Sequence, residues 1–170
     1  MKTWNLTALS LAIFSVIGLF FVARTFTVSL LLVVIGAASL VPYRFLRIQL
    51  GFELAVFVSI IATLSYGFGA GLFVGVLSLM LGLFLSESLY YRFFVPLAGM
   101  LCLAAVTSFL SSAIIPAALA GVLAYNMVIA ALYMLTGSEP GRIALFAVTD
   151  ILFNAMLIIL FAPGIVQMLT

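Results

Sequence analysis

Charge is what this chain lacks most. Of 170 residues, six are Lys or Arg and four are Asp or Glu, so only 6% carry a full charge. Soluble domains carry roughly a quarter charged residues. That shortage, beside 68% hydrophobic residues, excludes a soluble globular enzyme. Histidine is absent altogether, which removes the usual proton shuttle and the commonest metal ligand. A serine–histidine catalytic pair is impossible for the same reason. The single cysteine, Cys102, has no partner for an internal disulfide and reads as a small packing residue in an apolar stretch. Gly-x-x-x-x-Gly-Lys-Ser/Thr and Gly-x-Ser-x-Gly motifs are missing, as are Cys-x-x-Cys pairs and His-Glu-x-x-His. The four carboxylates are scattered. The expectation is therefore no enzyme, no metal site and no cofactor. A net charge of +2, without runs of like charge, gives no nucleic-acid footprint.

What is present is apolar length. A membrane-spanning helix takes about 20 apolar residues, so 170 residues suffice for six or seven spans and little else. Membrane β-strands alternate apolar and polar residues, whereas the runs here are continuous, so the spans read as helices. Seven segments are expected, over 4–23, 26–43, 51–66, 67–86, 93–110, 113–135 and 143–168. Breaks fall at Arg24-Thr25, Pro42-Tyr43-Arg44, Tyr66-Gly67, Tyr90-Tyr91-Arg92 and Ser111-Ser112, and in the loop 136–142. The segment 51–66 is short for a span and could be partly interfacial. The stretch 6–23 is longer than a signal-peptide core and reads as a retained anchor. No linker divides the chain. The expected architecture is one all-α domain over residues 1–170, a polytopic bundle of the cell membrane.

With seven spans, one face would receive Lys2, Arg44, Arg47, Arg92 and Arg142, together with Glu87 and Glu139, and the other only Arg24. The excess of basic residues would put the first face and the N-terminus in the cytoplasm. The C-terminus would lie outside.

Helices in lipid associate closely where small residues let their backbones approach. Gly67, Gly71, Gly75, Ser78 and Gly82 recur at three- and four-residue intervals on one helical face. Ala113, Ala117, Ala120, Ala124 and Ala131 form a second stripe, and Ala8 and Ala12 a pair in the first segment. Such stripes serve packing within the chain or docking of a partner, and the spacing alone fits both.

Ionisable and amide groups inside spans are costly and face the protein interior or a water-filled cavity. Glu53 follows Arg44 and Arg47, either as an interfacial ion-pair partner or as part of the polar mouth of a cavity. Asp150 and Asn154 share a face at i and i+4, with Arg142 about 12 Å along the same axis. Asn126 sits near the middle of its segment beside Tyr125. Asn126, Asp150 and Asn154 are expected to point inward, to line either a polar helix contact or a pocket for a small solute. Glu87, Arg92 and the Tyr90-Tyr91 pair read as an interfacial belt.

Two stretches carry a family resemblance. Arg-Ile-Gln-Leu-Gly-Phe-Glu-Leu-Ala-Val-Phe from Arg47, followed by Tyr-Gly-Phe-Gly-Ala-Gly-Leu-Phe-Val-Gly-Val-Leu-Ser, resembles the substrate-binding S components of energy-coupling-factor vitamin transporters. The rod-shape protein MreD has a similar glycine-rich turn. Thr149-Asp-Ile-Leu-Phe-Asn-Ala-Met, through Ala162-Pro163, looks like the closing helix of both groups. The resemblance implies a bundle of about six helices that binds a vitamin-like small molecule from outside. The energy would come from an ATPase and a transmembrane coupling protein in other chains. Its matched positions are Glu53, Asn126, Asp150 and Asn154, with Ala8 and Ala12 as the docking pair if 4–23 is the family's first helix. It also implies that the loops bearing Arg44, Arg47 and Arg92 face outward, opposite to the charge rule. The MreD side of the resemblance implies a scaffold that transports nothing.

Overall fold

A computed structural model describes residues 2–44, 51–85 and 94–170, with side-chain surroundings from Gly18 onward except at 21, 43 and 44. The described residues form six α-helices: α1 (Lys2–Leu40), α2 (Leu54–Tyr66), α3 (Phe68–Leu85), α4 (Phe94–Phe109), α5 (Ile114–Leu135) and α6 (Pro140–Leu169). A 3₁₀ turn over Val41–Arg44 ends the first, where Pro42 removes a backbone donor. By length and composition, Gly18–Leu40 of α1 and the whole of α3, α5 and α6 are able to cross a membrane.

The expected break at Arg24-Thr25 does not exist. The segments 4–23 and 26–43 are joined in α1, a single helix of 39 residues. Arginine is a good helix former, and threonine costs only tenths of a kcal/mol. A dip in hydropathy there is not a break in backbone geometry. Arg24 instead reaches along the helix surface, its guanidinium donating to the carbonyl oxygens of Leu169 at 3.3 Å and Met168 at 3.5 Å. The last carbonyls of α6 have no partner within their own helix, and a cation there also suits the helix dipole.

The short segment over 51–66 lies within the bundle. Its helical part, α2, has only 13 residues and packs against each of the other five helices. All positions from Ala55 to Thr63 are buried. An apolar helix without a polar face is stable only when surrounded. At 1.5 Å per residue α2 is about 20 Å long, too short to cross a hydrocarbon core of about 30 Å by itself.

The glycine and serine stripe is used mainly inside the bundle. A Cβ on Gly71 would collide with the Thr63 hydroxyl of α2, and one on Gly75 would lie 2.8 Å from Ser59 Oγ. Farther along, Gly82 takes Leu40 of α1 against its bare Cα, and Ser78 faces Gly36. Ser59 donates to the Gly71 carbonyl oxygen at 2.8 Å, tying α2 to α3. Gly67 belongs to the turn rather than the stripe: it is exposed, with φ +89° between α2 and α3. The alanine stripe of α5 divides too, with Ala117 buried and Ala113 and Ala131 exposed. Ala8 and Ala12 lie in the α1 helix, and their side chains fall outside the described residues.

These contacts fix the direction of the helices. Gly36 and Leu40 of α1 meet Ser78 and Gly82 of α3, so those two run parallel. The one-residue turn at Gly67 makes α2 antiparallel to α3. Antiparallel α4 and α5 bring Gly99 to Tyr125 and Thr107 to Gly121. The ends of α1, α3 and α5 and the starts of α2 and α6 therefore share one end of the bundle, which carries Arg44 and Arg142 and is hereafter the arginine end. Arg24 and the C-terminus of α6 share the other.

Candidate functional site

The polar residues expected to face inward do so, and four of the six proposed for solute binding gather at one place. Asp150 is fully buried on α6, and one turn later so is Asn154. Asn154 Nδ2 donates to Asp150 Oδ1 at 2.9 Å and to the Asp150 carbonyl oxygen at 3.1 Å. From α5, Asn126 Nδ2 donates to Asp150 Oδ2 at 2.7 Å and to the Val122 carbonyl oxygen at 3.0 Å. Each oxygen of the Asp150 carboxyl thus accepts from one amide. Two helices with otherwise apolar faces are joined through a single acid.

Glu53 completes the group from a third direction. It is the N-cap of α2, in extended conformation, and is only 5% exposed. Its carboxyl lies within electrostatic range of Asp150. The non-helical residues 51–53 bring it there. The Gly51 backbone N–H donates to Thr149 Oγ1 at 3.0 Å, and that hydroxyl in turn donates to the Leu145 carbonyl oxygen at 2.8 Å. Close approach is possible only for glycine: a Cβ on Gly51 would sit 2.6 Å from the Asp150 backbone nitrogen and 2.7 Å from its Cα. Phe52 then meets Phe153 edge-on, with ring centroids 5.5 Å apart. The Leu54 N–H, at the start of α2, donates to Ser39 Oγ of α1 at 2.9 Å. Non-helical backbone inside a helical bundle needs partners for its donors, and Thr149 of α6 supplies one to Gly51 while Ser39 of α1 supplies one to the first residue of α2.

Arg142 does not join the group. It is exposed at the start of α6 and pairs with Glu139 at 2.9 Å, three residues away. Arg24 is occupied at the opposite end. Among the described residues with side chains, no cation therefore reaches Glu53 or Asp150. Arg47, Glu87, Tyr90, Tyr91 and Arg92, and the side chain of Arg44, lie outside the described residues.

The cluster retains unused acceptors. Asn126 Oδ1 and Asn154 Oδ1 are both buried without a hydrogen-bond partner. Such atoms are uncommon in folded proteins, and each leaves a desolvation cost unrelieved. Two clefts of about 440 and 360 Å³ lie elsewhere, between α1 and α3, and are almost wholly apolar. The first is lined by residues such as Phe26, Ser29 and Phe73, the second by Val34, Leu81 and Phe84. None of the four polar residues borders either cleft.

Sequence reasoning missed Gly51 and Thr149 as positioning residues. Gly51 looks like ordinary punctuation before a helix, and Thr149 is masked by the more conspicuous acid beside it. No family model, curated protein or solved structure matches the chain.

Proposed function

We propose that the chain is a multi-pass protein of the cell membrane that binds a small polar solute and serves as the binding subunit of a transporter. The observation that carries this reading is the hydrogen-bonded cluster of Asn126, Asp150 and Asn154 in the bundle interior, with the buried Glu53 carboxyl within electrostatic range of it. Buried ionisable groups in apolar helices are expensive, and function is the usual reason for keeping them. Their approach from α2, α5 and α6 makes a convergent polar site rather than one isolated helix contact.

In this reading all six helices cross the membrane, with α2 completed by the non-helical residues 51–53. The termini lie in the cytoplasm and the arginine end faces outward. Arg44 and Arg47 form the mouth and meet an anionic group of a vitamin-like solute. An ATPase and a coupling protein in separate chains would supply the energy, consistent with the resemblance to S components. A scaffold similar to MreD is the other reading. The α3 stripe that would serve its partner is largely taken up by α1 and α2, which favours the transporter subunit.

A thermal-shift screen of water-soluble vitamins and related metabolites tests the proposal on purified protein. A saturable stabilisation that disappears in Asn154→Ala supports it. No response across the screen, together with stoichiometric recovery of a membrane partner, favours the scaffold.

A further inference from the structure

We infer that the cluster around Asp150 is a binding site for a small monovalent cation of the sodium type. This rests on the cluster being functional, as proposed above, but concerns an inorganic ion rather than the organic solute. Two carboxyl groups, Glu53 and Asp150, are both buried and within electrostatic range of each other, and neither described arginine reaches them. Burying two ionised acids without a counter-charge is strongly unfavourable, and a bound cation would relieve that cost. The independent sign of a ligand is the pair of orphaned amide oxygens. Asn126 is 2% exposed and Asn154 fully buried, and both hold Nδ2 against the Asp150 carboxyl. Because a carboxamide head is compact and planar, each Oδ1 lies beside that same carboxyl, and neither has a donor.

The donor types select the ion. Carboxyl and amide oxygens are hard ligands, suited to alkali and alkaline-earth cations rather than to zinc or copper. Among the described residues, no three His, Cys, Asp or Glu side chains gather as a transition-metal site would require. Magnesium gives up its waters reluctantly, and calcium takes six to eight oxygens. A site of four side chains in an apolar core, with both Asp150 oxygens already accepting hydrogen bonds, suits a smaller charge and fewer ligands. The surrounding architecture agrees: non-helical backbone meets a polar break between helices, the arrangement by which transporters hold coupling ions.

The test is a melting series in detergent, with no organic solute, at fixed pH and ionic strength. Sodium chloride replaces choline chloride stepwise, with potassium, magnesium and calcium chloride as parallel arms. The expected result is a saturable rise in melting temperature with sodium, a weaker one with potassium, and loss of the sodium response in Asp150→Asn and Glu53→Gln. Equal melting in sodium and choline overturns the inference. A response to divalent ions alone, or a sodium response that survives in a folded Asp150→Asn protein, also overturns it. If neither variant can be purified, the wild-type preference for sodium over choline and potassium decides. Loss of the sodium response in Arg44→Gln/Arg47→Gln protein would move the effect to the loop and overturn it as well. Failure here leaves the vitamin screen unaffected, since that screen reads organic ligands at constant salt.

Discussion

Asn126 on α5 and Asp150 on α6 are joined by a 2.7 Å hydrogen bond closed off from the surface. They are 24 residues apart in sequence, on antiparallel helices linked by a short loop containing Gly137 at φ +75°. The bond acts at once as a helix clamp and as an orienting contact for the acid.

Asn126→Ala should loosen that clamp. Hydrogen bonds between membrane helices average about 0.6 kcal/mol and reach about 1.7 kcal/mol. This one, to a buried carboxyl, should fall in the upper half of that range. A double-mutant cycle with Asp150→Asn, read by unfolding in mixed micelles, should show coupling of about 1 kcal/mol. Strict additivity of the two substitutions would mean that the side chains do not interact.

Gly51→Ala should damage the site more than its size suggests. The added methyl would displace residues 51–53 from Asp150, breaking the bond to Thr149 and withdrawing Glu53. Overpacking of this kind costs about 1–3 kcal/mol. The melting temperature should fall, and solute or ion binding should be lost with it. A Gly51→Ala protein with wild-type melting and binding would show that the segment does not lie against α6.

Two glycines of α3 should respond in opposite directions. Gly69 has open space where a side chain would begin, so Gly69→Ala should be neutral or stabilise by up to about 1 kcal/mol through helix propensity. At Gly71 the same methyl meets the Thr63 hydroxyl and the nearby Ser59 carbonyl, and α2 must move. Gly71→Ala should destabilise by about 1–3 kcal/mol. Equal tolerance at both positions in an unfolding assay would contradict the packing of α2 on α3.

The N- and C-termini should lie on one side of the membrane. With 4–23 and 26–43 joined in α1, six helices replace seven segments, and Arg24 links α1 to the end of α6. Reporters fused to either terminus should both read as cytoplasmic. Opposite sides would restore the seven-span arrangement expected from hydropathy.

The fold was largely legible because apolar length and Gly or Pro punctuation govern most of its boundaries. Expected limits for α3, α4 and α5 fall within a residue of the observed ones. Arg24 misled because a charge interrupts a hydropathy pattern without interrupting a helix. Pro163 shows the converse: it lies inside α6, which continues to Leu169. In the site, Asn126, Asp150 and Asn154 were conspicuous as polar groups in apolar runs. Their convergence with Glu53 was not, since it depends on how far the non-helical residues 51–53 reach into the bundle. That reach depends on Gly51 and Thr149, neither of which carries a distinctive pattern.

Native mass spectrometry of the protein released from its own membrane asks whether the cluster holds a solute. The expected result is a stoichiometric small molecule on the wild-type chain, reduced at least tenfold in Asn154→Ala; a tenfold change is about 1.4 kcal/mol of binding free energy. A wild-type chain that carries no small molecule, or an Asn154→Ala chain that keeps it undiminished, would contradict the assignment of this cluster as the binding site.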